Sequence, residues 1–168
     1  VILTNDGAIV VDTHSKPSAA AALYKEIQGV TKNPVKKIIN THFHWDHIQG
    51  FPFFAPAYNK DQIIGLMSMG DERKYINLKE LFSAQMQTDF FPVSLDRMGA
   101  EFQFLNFGNK ETYYGVTATA APQHHQSPAG SYGLRLEDDS QVLVICTDLE
   151  HVDGIDESIV DLARNADL

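Results

Sequence analysis

The chain has 168 residues, 43% of them hydrophobic and 21% charged, enough for one soluble domain over residues 1–168 with a real core. Its net charge of −9 argues against stable nucleic-acid binding, and no apolar run is long enough to cross a membrane. One cysteine, Cys146, excludes an internal disulfide and fits a reducing, cytoplasmic setting, with no secretory signal in view.

The chain opens at Val1 inside an apolar run and stops just past a helical pattern, as a fragment or a chain with missing segments would. Val1 to Leu3 and Ala8 to Val11 read as a hairpin around Asn5-Asp6-Gly7. "KPSAAAALYKEIQGV" reads as a helix capped by Ser18, with Leu23, Ile27 and Val30 on one face. A short strand, Val35 to Ile39, completes a strand–helix–strand unit, in which ligand-binding residues gather at strand C-termini. "GFPFFAPAYN" and "DFFPV" read as aromatic, Pro-broken loops, and Asn77 to Gln87 as a helix with Leu78, Leu81, Phe82 and Met86 in phase. Strands are expected at Phe102–Phe107, Thr112–Ala120, Ser131–Glu137 and Gln141–Cys146, with "EDDS" turning the last hairpin. Cys146, in "VLVIC", reads as a buried small hydrophobe. A closing helix, Asp156 to Asn165, carries Ile155, Ile159, Leu162 and Ala166 in phase.

The densest chemistry is "THFHWDH", Thr41 to His47, immediately after the second strand of that unit. Three protonated imidazoles this close would repel one another, whereas a divalent cation stabilises the neutral, ligating form. In extended backbone His42 and His44 share a face, while Asp46 and His47 open the next turn and point across a small gap. Imidazole with carboxylate suits Zn²⁺, with Mn²⁺ or Fe as alternatives, and this geometry suits two such ions. Further donors follow later strands: His124 and His125 in "APQHHQSPAG", and Asp148 in "CTDLEH". A lone Asp after a strand usually caps a helix, but its convergence on the edge expected for His42 favours ligation. The Thr41 and Thr147 hydroxyls are candidates for orienting the ligands beside them. His14 reads as a nearby loop residue.

"THFHWDH" resembles the HxHxDH signature of the metallo-β-lactamase superfamily. "NDGAIVVDT", "HIQGFPFFAPAY", "DFFPVSLDRM", "GSYGLRLE" and "CTDLEHVD" resemble its branch related to ribonuclease Z and cyclic-nucleotide phosphodiesterases. The resemblance implies an α/β (α+β) fold, a four-layer αβ/βα sandwich from which segments at both termini would be missing. It implies a first metal on His42 and His44, a second on Asp46 and His47, and Asp148 bridging them. The third histidine of the first metal would be His125, with His124 as the alternative, although the branch sets that histidine directly before a Pro-Gly-rich turn and here Ser127 precedes Pro128. The branch supplies a last second-metal histidine from a Gly-His-Ser segment that these 168 residues do not contain, leaving either the site or the sequence incomplete; His151 is a weak substitute.

The implied activity is hydrolysis by a metal-bound hydroxide, with a phosphodiester the preferred substrate class and a lactone, thioester or β-lactam the alternative. The candidate catalytic residues are Asp46, which would orient the nucleophile, and His125. The member of the His124–His125 pair not bound to metal would protonate the leaving group. The expected partner is a small or nucleotide-like substrate, which the aromatic loops would stack upon or cover unless Phe51, Phe53 and Phe54 simply pack beneath their loop. A non-catalytic metal sensor or interaction module is the reading from a different class.

Overall fold

The computed structural model describes residues 1–69, 77–127, 130–151 and 153–168. Strand β1 (Ile2–Leu3) pairs antiparallel with β2 (Ala8–Val11), and Thr4 closes the turn by donating its hydroxyl to the Gly7 carbonyl. Helix α1 (Pro17–Val30) then crosses over to β3 (Val35–Asn40), which runs parallel to β2, so the expected strand–helix–strand unit is present. Ser18 does not cap α1. The cap is Lys16, and Pro17 takes the first helical position, where its fixed φ and missing N–H cost nothing. Ile27 of the predicted face is buried and Leu23 partly so, but Val30, in the last turn, overshoots the sheet and is exposed.

The sheet grows by two further parallel strands, β4 (Ile63–Met69) and β5 (Glu101–Phe107), in the order β1-β2-β3-β4-β5. No strand was expected at β4. A strand buried on both faces reads as a continuous apolar run, "IIGLMSM", without the alternation that marks a half-exposed strand. The predicted strand Thr112–Ala120 is two strands, β6 (Lys110–Tyr113) and β7 (Val116–Gln123), joined by Tyr114 and Gly115, both at positive φ. Two successive left-handed residues make the hairpin turn that matches strand twist. With β8 (Ser131–Glu137) and β9 (Val142–Ile145) they form an antiparallel sheet, β6-β7-β8-β9. At the β8–β9 turn the Asp138 carboxylate accepts from the Ser140 and Gln141 N–H groups.

Ile9, Ile39, Met67, Phe107, Leu134 and Leu136 fill the space between the two sheets. The outer face of the five-stranded sheet is covered by α1, by the short helix α2 (Trp45–Ile48) and by α3 (Leu78–Gln85), with Phe51, Phe54, Phe82 and Met86 at its centre. Helix α4 (Glu157–Ala163), capped by Asp156 and seated on Leu162, covers the second sheet. Helix, sheet, sheet and helix are the four layers that the resemblance implies. Phe51 and Phe54 do pack beneath their loop, whereas Phe53 stays 41% exposed. Cys146 corrects its expectation: just after β9, it is only partly buried. No helix of the described residues is long and apolar enough to cross a membrane.

Candidate metal centre

The candidate residues leave their strands at one edge. β2 ends in Asp12, β3 leads into His42 and His44, β7 into His124 and His125, and β9 into Asp148. Helix α2 carries Asp46 and His47 and is clamped to the loop after β2. The Thr13 N–H and hydroxyl both donate to the His47 carbonyl, at 2.8 and 3.1 Å. Gly50 closes this contact. A Cβ there would lie 1.8 Å from the Thr13 carbonyl oxygen, a clash with backbone that no rotamer relieves.

His42, His44 and His125 form a nearly equilateral triangle, with ring centroids 4.8, 4.9 and 4.8 Å apart and rings set edge to face. His125 Nε2 lies 3.0 Å from His44 Nδ1. His42 is 1% exposed, and its Nε2 is a buried polar atom with no hydrogen-bond partner. An orphaned imidazole nitrogen costs free energy unless something takes its lone pair. A second triplet joins His42 to His47 and Asp148, with His47 Nε2 3.0 Å from Asp148 Oδ2. In each triplet the donor atoms lie within 4.8 Å of one another. These donors, imidazoles with one carboxylate, fit a divalent cation such as zinc.

The remaining candidates lie outside both triplets. Asp46 is 60% exposed in its side chain, with Oδ2 3.5 Å from His47 Nε2. His124, also largely exposed, has Nε2 3.8 Å from Asp156. His151 and His14 are exposed, the latter held at φ 67°. Of the adjacent histidines, His125 is the one within the cluster. Ser127 is described, but the Pro128 half of the expected turn lies outside the described residues.

Two carboxylates matter here that sequence reasoning did not assign. Asp12 accepts from the Thr41 N–H at 2.9 Å, from the Thr41 hydroxyl at 2.7 Å and from His47 Nδ1 at 2.8 Å. It thereby turns His47 Nε2 toward Asp148, and the Thr41 hydroxyl acts through it. Glu150 Oε1 sits 2.8 Å from His125 Nδ1 and also accepts from the Gln126 N–H, so His125 presents Nε2 to the cluster. Asp12 and Asp148 both sit at positive φ, 54° and 59°, conformations that a non-glycine residue holds only when its surroundings fix them. Thr147 contributes its backbone carbonyl, which accepts from the Gln123 side chain.

Glu150 is half exposed, so its loss should leave the fold intact while freeing the His125 ring. Glu150→Ala is expected to weaken zinc binding about tenfold, the low end for a ligand-orienting partner, and Glu150→Gln less. Competition with a chromophoric chelator measures both.

The electrostatics follow the geometry. Burial, with His47 and His44 close by, lowers the His42 pKa to about 4, against the pull of Asp12 and Asp148. Burial alone would lower His47 too, but the Asp12 hydrogen bond and charge, with Asp148 and Asp46, raise it above its ordinary value. In chelator, the unfolded chain therefore takes a proton at His42 between about pH 6.5 and 4 that the native chain refuses, and stability falls as pH drops through that window. The His47 contribution has the opposite sign: complete below about pH 6.5 and lost as pH rises through its elevated value. Urea midpoints of the metal-free chain should decline on both sides of about pH 6.5, and His47→Asn should remove the alkaline decline and lessen the acid one, since His47 is among the groups that lower His42.

The sequence profile of the Metallo-beta-lactamase superfamily matches residues 1–93, more than half of the chain and the part that carries "THFHWDH". The chain belongs to the metallo-beta-lactamase superfamily. Among superfamily structures it superposes on the metallo-beta-lactamase fold protein YhfI of Bacillus subtilis at a TM-score of 0.65 with 19% identity, covering 98% of this chain and 58% of that one. Human tRNase Z, short form, gives a TM-score of 0.64 at 15% identity, covering 99% of this chain and 67% of that one. A linear primary-alkylsulfatase of a Pseudomonas strain is 36% identical over 50 residues, 30% of this chain and 10% of that protein. The chain thus spans only part of these proteins. The superfamily's fold implies divalent metal binding, in keeping with the two triplets.

Proposed function

We propose that this chain is a metal-dependent hydrolase domain with a dinuclear centre, acting on a phosphodiester. The observation that carries the reading is the orphaned Nε2 of buried His42, set among the donor residues His44, His125, His47 and Asp148. His42, His44 and His125 would hold one cation, and His47, Asp148 and Asp46 the second, with zinc the preferred metal. Bound divalent metal supplies Lewis acidity toward the scissile group and lowers the pKa of water to near neutrality.

The chain's own residues do the rest. Asp46, exposed and 3.5 Å from His47 Nε2, is placed to accept a hydrogen bond from the attacking water and orient it. With His125 committed to the triangle, the leaving-group proton falls to His124, whose exposed ring is kept near Asp156. The likeness to a tRNase Z supports a phosphodiester. The local identity with an alkylsulfatase favours a second reading, a sulfate ester, another oxyacid ester with a tetrahedral centre.

Two measurements test this. Metal analysis should find two ions per chain, while one or none would favour a non-catalytic metal-binding module. A panel of bis-p-nitrophenyl phosphate, cyclic nucleotides, p-nitrophenyl sulfate, a lactone and a chromogenic cephalosporin should give turnover of the phosphodiesters. Turnover confined to the lactone and cephalosporin would overturn the substrate class.

A further inference from the structure

A cleft of about 560 Å³, within the size range of small-molecule sites, is lined by residues of α2, α3 and the loops around them. It begins at the motif itself. His42, His44 and Asp46 are interleaved with Phe43 and Trp45, and both of these aromatic residues line the cleft. One short segment therefore supplies residues to both the donor cluster and the cleft lining, although no donor itself lines the cleft. Phe53, Phe90 and Phe91 line it from the loops before β4 and after α3. Trp45 is 61% exposed, Phe53 41% and Phe90 78%, although Phe53 and Phe91 already pack edge to face at 5.2 Å. Water-exposed aromatic surface on this scale costs free energy that a bound apolar group would recover.

The cleft's chemistry narrows the occupant. No charged side chain lines it among the described residues, in a chain of net charge −9. Its polar groups are Gln49, Gln85 and the Trp45 indole N–H; the Gln85 amide nitrogen is bonded to the Ile48 carbonyl at 2.8 Å and its Oε1 is buried without a partner. A ligand with several hydrogen-bonding edges would lose its water there and find few partners. Phosphate, sugar and charged amine are poor fits, and a hydrocarbon group is a good one.

We infer that this cleft is the subsite for an uncharged apolar group of the substrate, an alkyl chain or plain aryl ring, carried by the ester whose acidic head is cleaved at the metal centre. The inference rests on the proposed hydrolase reading, but the cleft's affinity for hydrocarbon does not depend on which ester is cleaved. It separates this chain from a nucleotide-selective enzyme, because a nucleobase would leave its polar edges unpaired here.

Binding and turnover test it separately. The neutral dye N-phenyl-1-naphthylamine should bind the chelator-treated chain with a rise in fluorescence. Octylphosphonate should displace it and methylphosphonate should not. In the zinc-loaded chain, kcat/KM for p-nitrophenyl alkylphosphonates should rise about twofold to fourfold per added methylene, as burial of a CH₂ predicts. Phenylphosphonate esters should fall with the longer alkyl chains if the group is an aryl ring. The exposed pair Phe53→Ser and Phe90→Ser should flatten the series and abolish dye binding. Dye binding and displacement without any phosphonate turnover would uphold the cleft and overturn the phosphodiester reading. A flat series with no dye binding, or displacement by cyclic nucleotides ahead of octylphosphonate, would overturn the cleft.

Discussion

Replacing His42 by alanine is expected to remove the metal that His42, His44 and His125 would hold and to lower hydrolysis at least a thousandfold. His42 is the buried corner of the three-histidine triplet, so its loss leaves only two donors for that cation, while His47, Asp148 and Asp46 keep the second. Metal contributes several kcal/mol of charge stabilisation in such reactions, and each 1.36 kcal/mol is about a factor of ten in rate. Stability should move the other way from intuition. In the metal-free chain His42 is fully buried with Nε2 unpaired, so removing the ring deletes an unsatisfied polar atom as well as packing. His42→Leu, which keeps volume, is expected to leave the chelated chain within about 1 kcal/mol of wild type or to stabilise it. Urea melts with and without chelator separate the two effects: the wild type should gain more stability from zinc than either variant. A His42 variant that kept two bound metals and full turnover would sink the centre as drawn.

The site was legible in the sequence where its ligands are contiguous, and illegible where chemistry acts across the fold. "HFHWDH" places four donors within six residues, and strand ends gave His125 and Asp148 a plausible common edge. Asp12 and Glu150 carried no such signal. A carboxylate after a strand reads as a turn residue, and what makes Asp12 important is a partner 35 positions away. Glu150 meets His125 only because β7 and β9 flank β8 in one sheet. The fold divides in the same way. The β2–α1–β3 unit was readable from periodicity and a Pro-bounded strand, while β4 was hidden by its own burial. The Tyr114-Gly115 turn was hidden because tyrosine seldom signals positive φ. The choice between His124 and His125 was open in the sequence, since neighbours in extended chain face opposite ways and the strand's orientation decides which faces the cluster.

Asp12→Ala is expected to be the most destabilising single carboxylate change among the described residues, by about 3 kcal/mol, and to weaken zinc binding by about 10- to 100-fold. The carboxylate takes three donors at once: the Thr41 N–H, the Thr41 hydroxyl and His47 Nδ1. Thr41 is 1% exposed and His47 9%, so water cannot readily replace the lost acceptor. Each buried donor left unpaired costs about 1–3 kcal/mol. Alanine also dislikes the φ of 54° at this position. Asp12→Asn divides these causes. Asparagine accepts left-handed backbone and retains one acceptor oxygen, so it should recover most of the lost stability. It cannot recover the charge, and its amide hydrogens face Thr41 or His47, so zinc affinity should stay low. Chemical melts and chelator competition on the two variants measure both quantities. Equal stability of Asp12→Ala and wild type, or full zinc affinity in Asp12→Asn, would show that His47 is oriented by something other than Asp12.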